Sequence, residues 1–379
     1  MTTAIKARRA SATAIYMRGG TSKGVFFRED ALPAPGLSRD RFLLSVMGSP
    51  DRYGRQLNGL GGGISSVSKV IIVRRSSDPQ ADIEYLHGQV SVDTPLVDYS
   101  ANCGNLSSAV AQFSLEAGLF EPSDQAETVV RMRNLNAGLL INSRFSLTQG
   151  LPDYEGDFEM PGVSGTSSRV ALEYLMPADP LFRSGAPIDV VQAAGREVEV
   201  SLADAALPCV FVRAADLGVA PGASPSDIDA DTEAMRLLEA LRRQGAVRMG
   251  LADTVETAAQ ASPKIGIVSA PADYIALDGT PVSASGYDIG IRMISMGKAH
   301  KAVPLTAAMC LAATALSAGT VPAELARIRN APEVRVGNPS GVLSVGAIVS
   351  QTGGIARADR TIVYSTANKL MAGTVYGYL

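Results

Sequence analysis

Lys69, Cys103 and His300 are of types that move protons or hold anions, and each stands where its neighbours favour that use. Lys69 opens the β-branched run Lys69-Val-Ile-Ile-Val73, directly after Gly59-Leu-Gly-Gly-Gly-Ile-Ser-Ser-Val-Ser68. Glycines at such a site let backbone come close to a ligand. A lysine between apolar Val67 and Val70 is a candidate for desolvation, which penalises the ammonium and favours the free amine of a general base. A solvated lysine at a strand end is the alternative. Cys103, in Ala101-Asn-Cys-Gly-Asn105, precedes an alanine-rich helical stretch. Amide groups at a helix start favour both a bound carboxylate and a thiolate; a small thiol packed beneath a turn is the other reading. His300, in Ser295-Met-Gly-Lys-Ala-His300, is one of two histidines and opens a second alanine-rich stretch, either as an anion ligand or as a capping residue. His87, in Tyr85-Leu-His-Gly88, has no partner motif and reads as structural. Met17-Arg-Gly-Gly-Thr-Ser-Lys-Gly24 lacks the spacing and the Gly-Lys-Ser/Thr ending of a phosphate loop. It reads as a carboxylate clamp, with the Arg18 fork beside the hydroxyl and amide donors of Thr21 and Ser22.

The elements that must position these residues are written twice. Gly24-Val-Phe-Phe-Arg28 is echoed by Cys209-Val-Phe-Val-Arg213, and Ser68-Lys-Val-Ile-Ile-Val73 by Pro263-Lys-Ile-Gly-Ile-Val268. Helices are predicted over about 105–117 and 302–318, closing at Ala117-Gly118 and Ala318-Gly319 as helices stopped by glycine do. Neither has a polar face, so each must be buried all round. The pattern predicts an α+β fold of two pseudo-symmetric lobes, each a mostly antiparallel sheet wrapped around a central buried helix. The lobes are expected at 1–183 and 184–379, since Pro and Gly concentrate over 176–188, with the last strand free to return to the N-terminal lobe. Two helix starts facing one interlobe cleft would give an anion pocket, with Cys103 and His300 at equivalent positions. Residues 224–249 predict one surface amphipathic helix.

Composition removes other classes. Lys plus Arg (34) nearly balances Asp plus Glu (37), so nothing draws the chain to nucleic acid or an anionic membrane. Cysteines at 103, 209 and 310 form no disulfide framework and no CxxC pair, which points to a reducing, cytoplasmic setting. The first residues lack the apolar core of a secretory leader. Ala302 to Ala323 is uncharged and long enough to span a bilayer, but its Ala, Thr, Ser, Gly and Pro partition weakly, and a buried central helix is expected. Two isolated histidines and no clustered carboxylates predict no metal.

Read together, several segments resemble the PrpF family of 2-methylaconitate cis-trans isomerases and their relatives, with the diaminopimelate-epimerase-like fold. The matching pieces are residues 17–27, 46–63, 68–73, Gln89-Val90 through 100–105, 157–163, 262–268, 295–300 and Gly337-Asn-Pro-Ser-Gly341. The resemblance implies a cofactor-free isomerase of small unsaturated di- or tricarboxylates, with Lys69 as base and Cys103 in the same cleft. It implies substrate contacts at Arg18, Ser22 and His300, and nominates Ser68, Gly104, Asn105, Arg292 and Ser340 as further binding residues. Asn58 stands where many relatives have Asp, Asn338 where they often have His, and Leu181-Phe-Arg-Ser-Gly185 replaces a Pro-Thr-Gly type of turn. These departures leave methylaconitate, aconitate, methylitaconate and oxalomesaconate open as substrates. A single Cys at the paired positions argues against a two-thiol racemase, a non-catalytic carboxylate binder is the reading of another class, and a homodimer is allowed.

Overall fold

The computed structural model describes residues 8–100, 102–122 and 126–379; residues 1–7, on which the leader reading partly rests, and Ala101 lie outside these. The chain forms two compact units, Met1–Tyr174 with Tyr364–Leu379, and Leu175–Val363. The sequence places the boundary at 183/184, with the last strand free to return to the N-terminal lobe.

In the first unit the main elements are β1 (Arg9–Gly19), β2 (Ser22–Arg28), α1 (Leu37–Met47), β3 (Lys69–Arg75), β4 (Ile83–Val90), α2 (Gly104–Glu116), β5 (Glu127–Asn134), β6 (Leu140–Thr148) and β7 (Arg169–Leu175). The strands pair in chain order from β1 to β7; β2–β3 and β4–β5 are parallel and the rest antiparallel. Residues 367–378 add a final strand beside β1. Strand alternation sends Val25, Phe27, Val70 and Ile72 to one face, where Phe42, Leu43 and Met47 of α1 cover them. Phe26, Ile71 and Val73 go to the other. There α2 lies, buried from Leu106 to Leu115, with Phe113 and Phe26 rings 5.5 Å apart. Gly24 lets this layer close: a Cβ on it would lie 2.8 Å from the Lys69 carbonyl oxygen and 3.0 Å from Leu106.

The second unit repeats the plan. Its strands are β8 (Asp189–Ala193), β9 (Arg196–Asp204), β10 (Pro208–Arg213), β11 (Lys264–Ser269), β12 (Ile289–Ser295), β13 (Glu333–Asn338), β14 (Gly341–Thr352) and the first part of β15 (Ile355–Tyr378). They too pair in chain order, with β10–β11 and β12–β13 as the parallel pairs. Cys209 is opposite Lys264 just as Val25 is opposite Val70 one residue further on, so the two echoes in the sequence are the same parallel pair made twice. The expected pseudo-symmetric α+β architecture is the observed one.

Two of the predicted helices differ from expectation. The first central helix is Gly104–Glu116, close to the predicted span, but the second, α5, covers only Leu305–Ala315, because Pro304 occupies its N-cap. Its Ala307, Ala308, Cys310, Leu311 and Ala312 pack against Phe211, Ile291, Met293, Val336 and Val345. Among the described residues no helix is long and apolar enough to cross a membrane. The predicted helix over 224–249 is two, α3 (Pro225–Ala230) and α4 (Thr232–Arg248). Asp231 ends the first and caps the second, its carboxylate accepting from the Ala234 N–H at 2.9 Å.

Candidate active site

Lys69 begins β3 with 8% of its surface exposed, on the sheet face that α2 covers. Its Nζ donates to Oε1 of Gln89, its cross-strand neighbour on β4. Gln89 is fixed in that orientation, since its Nε2 donates to the carbonyl oxygens of Ser68 at 2.9 Å and Ser65 at 3.2 Å. Sequence reasoning missed this residue as a functional one; the signal available was the register that pairs it with Lys69.

The glycine-rich stretch before Lys69 does something other than expected. Gln56, fully buried at φ 52°, donates from Nε2 to the Ser49 and Ser68 hydroxyls, 2.7 Å each, and accepts from the Gly63 N–H at 3.0 Å. A Cβ on Gly61 would lie 2.2 Å from the Gln56 amide oxygen, and one on Gly59 2.1 Å from the Gly48 nitrogen. The glycines therefore let the loop close on itself. The Ser68 hydroxyl accepts from Gln56 and donates to the Val90 carbonyl at 2.8 Å, which makes Ser68 a support for Lys69 rather than an open ligand group.

Cys103 is the N-cap of α2 and is buried, and its side chain does not cap the first-turn amides. Beneath it Ser107 Oγ donates to the Cys103 carbonyl at 3.0 Å and meets the Tyr85 hydroxyl at 2.7 Å. The Tyr174 hydroxyl stands 3.7 Å from where a Gly104 Cβ would be. Burial pushes the Tyr85 phenol up to about 12 and raises Tyr174 further, with Tyr85 and Cys103 as lesser causes at Tyr174. Both stay neutral donors through the physiological range.

The Arg18 turn packs on the same helix start. Asn105 fills the space a Gly20 side chain would need, its Oδ1 2.3 Å from the ideal Cβ, and it approaches the Thr21 N–H at 3.5 Å. Ser22 is buried at the start of β2. Arg18, by contrast, does not act as an open fork. Its Nη1 donates to the carbonyl oxygens of Gly20 and Thr366 at 3.1 and 3.2 Å and to Thr366 Oγ1 at 2.8 Å, and Nη2 reaches Ser167 Oγ at 3.4 Å. Burial lowers its pKa, and these acceptors replace water around it. The residue ties the turn to the last strand.

In the second unit, His300 sits five residues ahead of α5, so it is Pro304, at the N-cap, that matches the place of Cys103. The imidazole Nδ1 lies 2.7 Å from the Ala302 carbonyl oxygen and 3.1 Å from the Ala302 amide nitrogen. Ser340 joins this segment, its Oγ donating to the Lys301 carbonyl at 2.7 Å. Asn338 is buried and holds the same turn, accepting from the Ser340 N–H and donating to the Gly341 carbonyl. Arg292 is not grouped with them. Its neighbours Ile291 and Met293 face α5, so it lies on the opposite face of β12. There it donates to the Ala223 and Ile291 carbonyls and stacks 4.8 Å over the Tyr274 ring. Lys264, the counterpart of Lys69, donates to Ser295 Oγ at 2.8 Å. His87 is buried within β4. Among the described residues no three His, Cys, Asp or Glu side chains gather where they could hold a metal.

Against known proteins, the model of the family described as PrpF protein matches residues 9–378. A "2-methyl-aconitate isomerase" of Shewanella oneidensis is 39% identical over 379 residues, covering 96% of each chain, and one of Cupriavidus necator is equally similar. A "3-methylitaconate isomerase" of Eubacterium barkeri is 32% identical, again over 96% of both chains. The solved structure of a methylitaconate-delta-isomerase superposes with a TM-score of 0.84 at 31% identity, covering 97% of this chain and 96% of that one. With a family match that begins at the first strand and runs through the last, this chain belongs to the PrpF family.

Proposed function

We propose that this chain is a cofactor-independent isomerase of a small unsaturated tricarboxylate, 2-methylaconitate, working by proton transfer through Lys69. The observation that carries the reading is a buried lysine whose Nζ meets a neutral amide and, among the described residues, no carboxylate, in the unit that also holds Cys103 at an uncapped helix start. The two relatives at 39% identity, both named for 2-methylaconitate, support that substrate over the other acids of the class.

In this mechanism the Lys69 amine removes a proton from the methylene flanked by a carboxylate and the C=C bond. The electron pair left behind spreads through the double bond into a carboxylate, giving a dienolate whose former C=C bond can rotate. The ammonium then returns the proton to the same carbon, and the geometric isomer leaves; return at the far allylic carbon gives the positional isomer instead. The Gly104 and Asn105 amides at the start of α2 hold the developing charge. Ser22 binds substrate, and Cys103 faces the reacting carbon as acid or as orienting group. Three free thiols accord with a cytoplasmic enzyme.

The test is proton NMR in deuterated buffer with 2-methylaconitate, cis- and trans-aconitate, methylitaconate and oxalomesaconate. Interconversion of the 2-methylaconitate isomers, with deuterium entering the methylene, is expected. Binding of these acids without exchange in any of them would make the protein a carboxylate binder and end the isomerase reading.

A further inference from the structure

We propose that Gln89 is the positioning residue of Lys69: it aims the amine and, as a neutral spacer, keeps the carboxylate of Asp98 away from it. The proposal rests on the isomerase reading above. Its basis is one row of residues across adjacent strands. Gly24 packs on the Lys69 carbonyl, Lys69 pairs with Gln89, and Gln89 pairs with Asp98 of the short strand Val97–Asp98. Both Gln89 N–H groups donate to the Ser65 and Ser68 carbonyls, so only Oε1 can face Lys69. That oxygen accepts one hydrogen and fixes the direction of the Cε–Nζ bond while adding no charge. A carboxylate there would stabilise the ammonium and remove the base.

Among the described residues, the other titratable or charged groups on this face include His87 and Tyr85 of β4, Cys103 at the start of α2 and Tyr174 of β7, with Arg28 and Arg75 at the far end of α2, where they donate to the Ala117 and Gly118 carbonyls. Asp98, which interacts with His87 and whose carboxylate accepts from the Ser100 N–H at 2.8 Å, is the acid in the row, and Gln89 stands between it and Lys69.

The experiment compares the unchanged protein with Gln89→Leu and Gln89→Glu in kinetics against pH, and follows Lys69 by NMR in protein carrying isotope-labelled lysine, assigned by the signal lost in Lys69→Met. Circular dichroism melts confirm that each variant is folded. Gln89→Leu is expected to lower kcat by roughly 10–100-fold with KM within about threefold, the signature of a misaimed base. Gln89→Glu should move the acid limb of kcat/KM and the Lys69 titration upward by about one pH unit or more. Above that limb it should regain kcat, which Gln89→Leu does not. Unchanged kcat and an unchanged limb in both variants would overturn the proposal. Should the parent protein exchange no proton in any acid tested, the isomerase reading falls, and the Lys69 titration decides alone: a midpoint equal in the parent and in Gln89→Glu sinks the role of Gln89, and a raised one upholds it.

Discussion

At the scale of single residues, the site divides into groups that could be read from type and groups that could not. Lys69 and Cys103 stand out because few side chains do such chemistry and both sit where an element begins. Lys69→Met should reduce isomerisation and deuterium exchange by roughly 10²–10⁴-fold, the range of general-base catalysis. Retained exchange, read by NMR, would free Lys69 of that role. Gln89 and Gln56 carry no such signature, since an amide becomes meaningful only once its acceptors are known, and those of Gln89 lie more than twenty residues before it. Arg18 is a related case. Its type suits a carboxylate, but Thr366, 348 residues away, supplies the acceptors that occupy its fork. Arg292 is set apart by geometry, because alternation along β12 turns it from the face where α5 packs.

At the scale of elements, the positions of glycine and of one loop carboxylate decide how the lysine is held. Gly24→Ala would set a methyl 2.8 Å from the Lys69 carbonyl and 3.0 Å from Leu106, both in packed layers. Such overpacking costs about 1–3 kcal/mol, and urea denaturation of the variant should show it as a lower midpoint. The loop that buries Gln56 is organised by Asp51, whose carboxylate accepts from the N–H groups of Tyr53, Arg55 and Gln56 at 2.9, 3.0 and 2.7 Å. These bonds, that from Tyr53 first, hold its pKa below the ordinary carboxylate value. Its contribution is therefore full above the unfolded value of about 3.9 and is lost as pH falls below it. The stability advantage of the parent over Asp51→Asn should accordingly shrink as the buffer is taken from pH 6 to roughly pH 3; an advantage that stays constant would deny Asp51 this role. The helices were legible from composition, yet their ends were not, because Pro304 and Asp231 set boundaries that apolar content does not encode.

At the scale of the whole molecule, the duplication was visible in two short echoes and proves to extend through seven strands in matching order, including both parallel pairs. Residues outside the echoes have diverged while still filling equivalent places: the Ser295 hydroxyl meets Lys264 where the Gln89 amide meets Lys69. The two units differ in continuity: Leu175–Val363 is one stretch, whereas the first unit needs Tyr364–Leu379 to complete its sheet. Expressed alone, Leu175–Val363 should fold and melt cooperatively, while a chain ending at Val363 should leave the first unit without a cooperative transition. Calorimetry of the two fragments checks this, and a truncated chain that keeps both transitions would refute it. The strand Ile355–Tyr378 also sets an order of events during synthesis. Arg9–Gly19 leaves the ribosome well before residues 367–378, with which it pairs. At roughly 5–20 residues per second the first strand waits on the order of tens of seconds for its neighbour. Most strands of the second unit are made in that interval, so the unit that carries Lys69 and Cys103 is begun before the second and completed only after it, and until then Arg9–Gly19 lacks this neighbour.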